Sequence, residues 1–307
     1  MAAPLFLSSG DLIADRRYDF ARDFQLRGDI AAAADLMAQA VELAPRFASA
    51  WFALGELREK LGECNGAIDA YRYACAAEPE DRHGAKLRLM RLGALELSEM
   101  PPDYVRTLFD QYAPRFDKAL IGELNYRGPE ILLKAVLSIF HGTGRPASFK
   151  RAADLGCGTG LAAREFVANV DEFIGVDLSP GMIEEARTTG LYTRLDVADM
   201  VQGLRAEPNA SVDLVLAADA VNYLRDLAPL MTEAARVLRP GGIFAFTTET
   251  HGGSGVILGA GLRYCHAPDY LRDQIAAAGL ELCSLSAAST RTEHHEPVPG
   301  LVVVARR

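Results

Sequence analysis

The sequence predicts a doubly wound α/β domain behind an all-helical repeat segment, and three observations carry that prediction. Residues 151–160 read as a strand running into a turn of three glycines, and a helix follows from Leu161 to about Ala168. Further strand-like runs recur downstream at 172–177, 191–199, 212–219 and 242–249. Aligned with itself at an offset of 34, the amino-terminal third places Gly28 on Gly62, Ala33 on Ala67, Ala40 on Ala74 and Pro45 on Pro79.

The bulk composition allows this. With 307 residues, half of them hydrophobic and about a quarter charged, the chain has room for two cores. The formal net charge is −9 and no Lys/Arg-rich block occurs. That argues against a protein that grips nucleic-acid phosphates and against binding to an anionic membrane surface. The segment Met1–Gly10 has an apolar run without a basic region ahead of it, so no signal peptide is expected, and no stretch nears eighteen unbroken apolar residues. The five cysteines (Cys64, Cys75, Cys157, Cys265, Cys283) are odd in number and form no CxxC pair. Neither a disulfide framework nor a metal site is indicated, and a reduced, cytoplasmic setting is expected.

In the helical segment, residues 11–97, the second copy adds Trp51, Leu54, Gly55 and Tyr71. It resembles the tetratricopeptide pattern, in which small residues let antiparallel helices approach closely. The first copy has Arg17, Phe20 and Ala21 where that pattern wants Trp, Leu and Gly. Two units do not suffice alone, so Asp81–Leu97 is expected to add a capping helix. Such a stack either offers a face to a protein partner or serves as a fixed wall or dimer surface for the domain that follows.

Residues 98–150 begin at Met100-Pro101-Pro102 and are largely helical in pattern. They hold Tyr112-Ala-Pro-Arg-Phe116-Asp117 and then Tyr126-Arg-Gly-Pro129. The stretch reads as an amphipathic helix burying Leu108, Tyr112 and Phe116. Its YA-x-x-FD run also resembles the helical lid that many small-molecule methyltransferases place over their cofactor, in which Tyr112 and Phe116 would shield the sulfonium.

Residues 151–307 carry the densest signal. Asp154 precedes Gly156-x-Gly158-x-Gly160, where dinucleotide folds prefer G-x-G-x-x-G. A second strand ends in Asp177, 17 residues after Gly160, the reach of a carboxylate that accepts ribose hydroxyls. Ser179-Pro180 then reads as a helix cap and first turn.

The string D-L-G-C-G-T-G…G-V-D-L-S-P-x-M resembles the class I S-adenosylmethionine-dependent methyltransferase signature. With the repeats and the YA-x-x-FD…YR-x-P stretch, nearly the whole chain resembles a bacterial family of repeat-linked predicted methyltransferases. The resemblance implies a Rossmann-like, seven-stranded sheet of order 3-2-1-4-5-7-6, with S-adenosylmethionine as methyl donor. It implies cofactor contacts from Tyr112, Asp154, Gly156, Gly158, Gly160, Asp177, Leu178, Met182, Asp199, Met200 and Ala218. Asp199 would meet the adenine amino group, Met200 the ring, Ala218 the methionine end and Asp154 the methionine amino group.

Methyl transfer is an in-line displacement in which holding the partners together supplies most of the catalysis. A base is needed only for a protonated nucleophile. The acceptor side is expected beyond the carboxyl ends of the strands, at Asn222, Tyr223, Glu249 and His251. Leu280–Thr290 and Val298–Arg306 read as two last strands, the final one antiparallel, with the loop Arg291–Pro297 at the same end. Arg291, Glu293, His294 and His295 are therefore acceptor-side candidates, with a solvated hairpin as the alternative. His251 and His266 are candidate bases or ordinary polar residues. Asn222-Tyr223 lacks the Asn/Asp-Pro-Pro-Tyr clamp of enzymes that methylate amide or base-ring amino groups. A small-molecule oxygen or nitrogen acceptor is expected. The alternatives are a protein recruited by the repeats and a cofactor-binding scaffold without turnover.

Overall fold

The computed structural model describes residues 5–142, 146–293 and 295–307. The chain divides into two units, one of residues up to Val105 with Ala260–Leu262, the other of Arg106–Gly259 and Arg263–Arg307. Most of the segment expected as a linker thus belongs to the second unit.

The first unit is built from α1 (Leu12–Leu26), α2 (Ile30–Leu43), α3 (Ala48–Lys60), α4 (Cys64–Ala77) and α5 (Ala85–Arg91). The Asp11 carboxylate accepts from the Ile13 and Ala14 amides and that of Asp29 from the Ala32 amide, satisfying donors a helix start leaves open. A Cβ at Gly55 would stand 2.5 Å from the Tyr71 ring, so α3 and α4 meet only because this residue is glycine. The capping helix is shorter than expected: Asp81 caps it through the Ala85 and Lys86 amides, and Gly93, at φ +71°, follows its end.

In the second unit α6 (Pro102–Tyr112, its first four residues in the other unit) leads into a 3₁₀ turn, Ala113–Arg115, a π turn, Lys118–Glu123, and α7 (Gly128–Phe140). The sheet strands are β1 (Phe149–Leu155), β2 (Val170–Asp177), β3 (Tyr192–Val197), β4 (Val212–Ala217) and β5 (Leu238–Glu249), separated by α8 (Leu161–Phe166), α9 (Pro180–Thr188), α10 (Met200–Arg205) and α11 (Ala228–Val237). Short β6 (Val256–Leu258) and β7 (Tyr264–His266), α12 (Pro268–Ala277), β8 (Glu281–Ala287), the hairpin β9 (Thr292–Glu293) and β10 (Glu296–Pro297), and β11 (Gly300–Arg306) complete it. The path is β3-β2-β1-β4-β5-β11-β8, with β7 added beside the end of β5. Counting β8 as sixth and β11 as seventh, this is the expected order, and β11 runs antiparallel to both neighbours.

Alternation along the central strands explains the two helical layers. Leu214, Leu216, Ile243 and Ala245 join Leu132, Val136 and Phe166 on one face. Val215, Phe244 and Phe246 join Leu230, Met231, Leu271 and Ile275 on the other. Both faces are dry, so polar chemistry is confined to the strand ends. Among the described residues no helix is long and apolar enough to cross a membrane.

Candidate active site

β1 delivers the chain into Gly156, Gly158 and Gly160, all at positive φ. A Cβ on Gly156 would lie 2.5 Å from that of Ala220, so this turn accepts no side chain there. At the end of β2 the buried Asp177 carboxylate accepts from the Gly158 and Ser179 amides, each at 2.9 Å. Burial pushes its carboxyl up to about 6 against the pull of those amides.

Asp154, at the end of β1, is 1% exposed. One of its oxygens accepts from the Tyr192 hydroxyl at 2.7 Å; the other has no partner among the described residues. Burial, with the Asp177 charge adding to it, pushes this carboxyl up to about 7. An orphaned buried acceptor costs about 1–3 kcal/mol, and a cationic group placed against it would recover that loss. A ligand ammonium suits this oxygen in charge. Tyr192 was not anticipated; the signal lay in Gly160 and Gly175, on two neighbouring elements, where a Cβ would stand 3.2 and 2.9 Å from its ring.

Other expected contacts are placed unevenly. Leu178 is half-buried, and its carbonyl accepts from the Arg106 guanidinium at 3.4 Å. Met182 is wholly buried, its amide donating to the Ser179 hydroxyl. Asp199 is exposed and caps α10 through the Val201 and Gln202 amides, while Met200 packs partly into the core below. Ala218 is half-buried just past β4.

The segment 106–117 lies on the glycine turn. Asp110 accepts from the Ser179 hydroxyl at 2.5 Å and the Gly181 amide at 3.0 Å. Asp117 accepts from the Thr159 hydroxyl and faces Arg164 at 3.3 Å. The Phe116 ring is 3.7 Å from where a Gly158 Cβ would sit. The Tyr112 ring, in contrast, carries the Arg115 guanidinium 5.5 Å from its centroid.

Beyond the ends of β4 and β5 lies a buried ionic cluster. Arg291, 7% exposed, donates to Asp219 at 3.0 Å, to Glu293 at 3.0 Å and to Glu249. Arg263 donates to Glu249 and, at 2.5 Å, to Glu293. The Thr247 and Thr290 hydroxyls complete Asp219 at 2.8 and 2.6 Å. Burial alone would lower the Arg291 pKa; the Asp219 and Glu249 charges outweigh it and raise it further. Burial works the other way on Glu293, whose carboxyl is nonetheless held down by Arg263 and Arg291.

Two tyrosines stand against this cluster. The Tyr126 hydroxyl is pushed well above its ordinary range by burial, then by Asp219, with Asp154 also within reach. Tyr223 is raised by burial, partly opposed by Arg263 and Arg291, and its ring meets Phe109 edge-on at 5.1 Å. Tyr126 is held in place from both sides: the Arg127 amide donates to the Thr290 carbonyl and the Thr292 amide to the Leu124 carbonyl, each at 2.8 Å.

The histidines fare less well than the arginine. His266 is removed as a base. It is fully buried, one ring nitrogen bonds the Thr248 hydroxyl at 2.7 Å and the other the Leu224 carbonyl at 2.9 Å, and burial lowers its pKa to about 4. His295 stands exposed in the turn between β9 and β10 at φ +67°, in keeping with the solvated hairpin. His251 bonds within its own loop, to the Gly255 carbonyl and the Gly253 amide. His294 lies outside the described residues.

The two raised carboxyls predict how cofactor binding varies with pH. In the free protein Asp154 and Asp177 titrate near 7 and 6. A cation seated on Asp154 favours its ionised form, so binding releases a proton below about pH 7. Affinity for S-adenosylmethionine should therefore tighten about tenfold from pH 5.5 to 7.5. Calorimetry in buffers of different ionisation enthalpy reads both the affinity and the proton; a flat profile with no proton released contradicts the placement.

Comparison with known proteins agrees with this layout. Residues 153–246 match the methyltransferase-domain family. The chain is similar to human methyltransferase-like protein 27, 31% identical over 182 residues, covering 58% of this chain and 69% of that one. It is also similar to the malonyl-[acyl-carrier protein] O-methyltransferase of Enterobacter lignolyticus, 34% identical over 155 residues, covering 48% of this chain and 56% of that protein. In fold it resembles the 1,6-didemethyltoxoflavin-N1-methyltransferase of Burkholderia thailandensis, solved with 1,6-didemethyltoxoflavin and S-adenosylhomocysteine, at TM-score 0.52 and 17% identity over 69% of this chain and 93% of that one. Glycine turn, acid-ended second strand, sheet order and these likenesses agree, and the chain belongs to the class I S-adenosylmethionine-dependent methyltransferases.

Proposed function

We propose that the chain transfers the methyl group to an oxygen or nitrogen nucleophile of a small molecule. The observation that carries this reading is the tie between the loop of Tyr126 and the ionic cluster: the Arg127 amide donates to the Thr290 carbonyl at 2.8 Å, and the Thr290 hydroxyl and Arg291 both donate to Asp219. A donor held at Asp154, at the end of β1, and an acceptor held at this cluster, beyond the adjoining β4 and β5, would meet at the carboxyl edge of the sheet. The walls there are half-buried or buried side chains, Tyr126, Tyr223, Glu249 and Arg291, which suits a small ligand.

In this reading the orphaned Asp154 oxygen takes the methionine ammonium and Asp177 the ribose hydroxyls, while Asp199 and Met200 border the adenine. When bound, S-adenosylmethionine supplies a methyl group on a positively charged sulfur, which leaves as a neutral thioether. The protein's task is then to align the acceptor and exclude water. Asp110, Asp117 and Phe116 hold the 106–117 segment down as a lid. Amides in 106–117 should exchange hydrogen more slowly once S-adenosylhomocysteine is bound; equal exchange with and without it reduces the segment to a connector.

The amino-terminal helices are read as two tetratricopeptide units. This is supported by Gly28 and Gly62, both at positive φ after α1 and α3, and by the burial of Ala33, Ala40, Ala67 and Ala74 at matching positions. A protein partner on that unit is compatible with the small-molecule reading. Incubation with methyl-labelled S-adenosylmethionine and a cell metabolite extract, followed by mass spectrometry, tests the acceptor class. A labelled small molecule is the expected result, and label confined to protein would reverse it.

A further inference from the structure

Three features of the acceptor end bear on what binds there. The charged groups are unequal: among the described residues the Asp219, Glu249 and Glu293 carboxylates face two guanidinium groups, Arg263 and Arg291, and both arginines are engaged by carboxylates. Glu249 gives one oxygen to both arginines, whereas its other oxygen meets, among the described residues, the Cys265 thiol alone, at 3.7 Å. Uncharged donors are left over. Asn222 is wholly buried, its carbonyl oxygen accepting from the Glu249 amide at 2.7 Å and its amide nitrogen without a partner among the described residues. The Tyr126 and Tyr223 hydroxyls make no hydrogen bond among the described residues either.

A buried cluster of ions is no more stable than an apolar core of the same volume, so its presence calls for another reason. An anionic acceptor would add a fourth negative charge where both guanidinium groups are already committed. A cation meets a net negative site, with Tyr223 close enough to its arginines to feel their charge and packed edge-on against Phe109. The orphaned Asn222 amide and the two tyrosine hydroxyls ask for an uncharged oxygen nearby.

From this we infer that the methyl acceptor is a small primary or secondary amine that also bears a hydroxyl or carbonyl oxygen, a conclusion that rests on the small-molecule reading above. The amine enters as its ammonium, drawn to Glu249, and gives a proton to that carboxylate, which passes it to water. The freed nitrogen lone pair then takes the methyl group as the carbon–sulfur bond breaks, its electron pair staying on sulfur. The product is the methylated ammonium.

The test separates the metabolite extract by charge before reaction, into cation-exchange, anion-exchange and unretained fractions. Each is offered to the full-length protein with methyl-labelled S-adenosylmethionine. Label should appear from the cationic fraction, and that fraction alone should raise the melting temperature of the protein already loaded with S-adenosylhomocysteine. Label only from the anionic or unretained fraction overturns the amine assignment and leaves the small-molecule reading standing; label from no fraction, with S-adenosylhomocysteine still bound, overturns both. Glu249→Gln should lower kcat/KM for the active amine about 10–100-fold. Should that variant fail to fold, Tyr126→Phe keeps the ring and is expected to raise KM about 3–10-fold with S-adenosylhomocysteine affinity within twofold. Unchanged kinetics in a folded variant of either kind contradicts the assignment.

Discussion

Replacing Asp177 by alanine is expected to weaken S-adenosylhomocysteine binding by about 1.5–3 kcal/mol, roughly a factor of ten to a hundred. A charged acceptor of hydrogen bonds at the end of β2 is lost, from a residue that is only 8% exposed. The free protein should not suffer in proportion. Burial raises this carboxyl to about 6, so its ionised form is disfavoured in the native state. The sign comes from linkage. Between the unfolded value near 3.8 and 6 the folded protein binds more protons than the unfolded chain, so ionising Asp177 lowers stability as pH rises through that window. At neutral pH, Asp177→Asn should therefore melt at or slightly above the wild-type temperature without ligand and lose most of the rise that ligand confers. Calorimetry and melting curves at pH 7.5 decide it; undiminished affinity in both variants means the ribose lies elsewhere.

Arg291→Ala is expected to destabilise the second unit by about 3 kcal/mol, the low end of what breaking a buried ion pair costs. The low end applies because Arg263 still serves Glu249, and the Thr247 and Thr290 hydroxyls still serve Asp219. For a unit of this size that is roughly 6–12 °C of melting temperature. The loss should shrink as pH falls toward the ordinary glutamate range, since Glu293, held down in part by Arg291, contributes stability that is lost as its carboxylate is protonated. Arg291→Lys should recover only part of it, because one ammonium cannot reach three carboxylates in a fixed fork. S-adenosylhomocysteine affinity should change little, as Arg291 touches neither the glycine turn nor Asp177. Melting curves at pH 5 and 8 read the effect; an unchanged melting temperature at pH 8 shows that these ion pairs do not form in solution.

The part of the protein legible from its residues alone is built from groups close together in the chain. Asp154, the three glycines, Asp177 and Ser179 span 26 positions, and strand, tight turn and capped helix each come from local rules of φ, capping and alternation. The sheet order was legible too, through the resemblance that this stretch carries. The acceptor end was of another kind. Arg291 meets Asp219 from 72 positions away and Glu249 from 42, and Thr292 meets Leu124 from 168. No local pattern marks a residue whose partners lie on other strands, and Asp219 and His266 are both of that kind. Whether a histidine is a base depends on what occupies its two nitrogens, and that is set by packing. The Thr248 hydroxyl and the Leu224 carbonyl occupy both nitrogens of His266 because β5, β7 and the turn after β4 converge there, and only the folded chain brings them together.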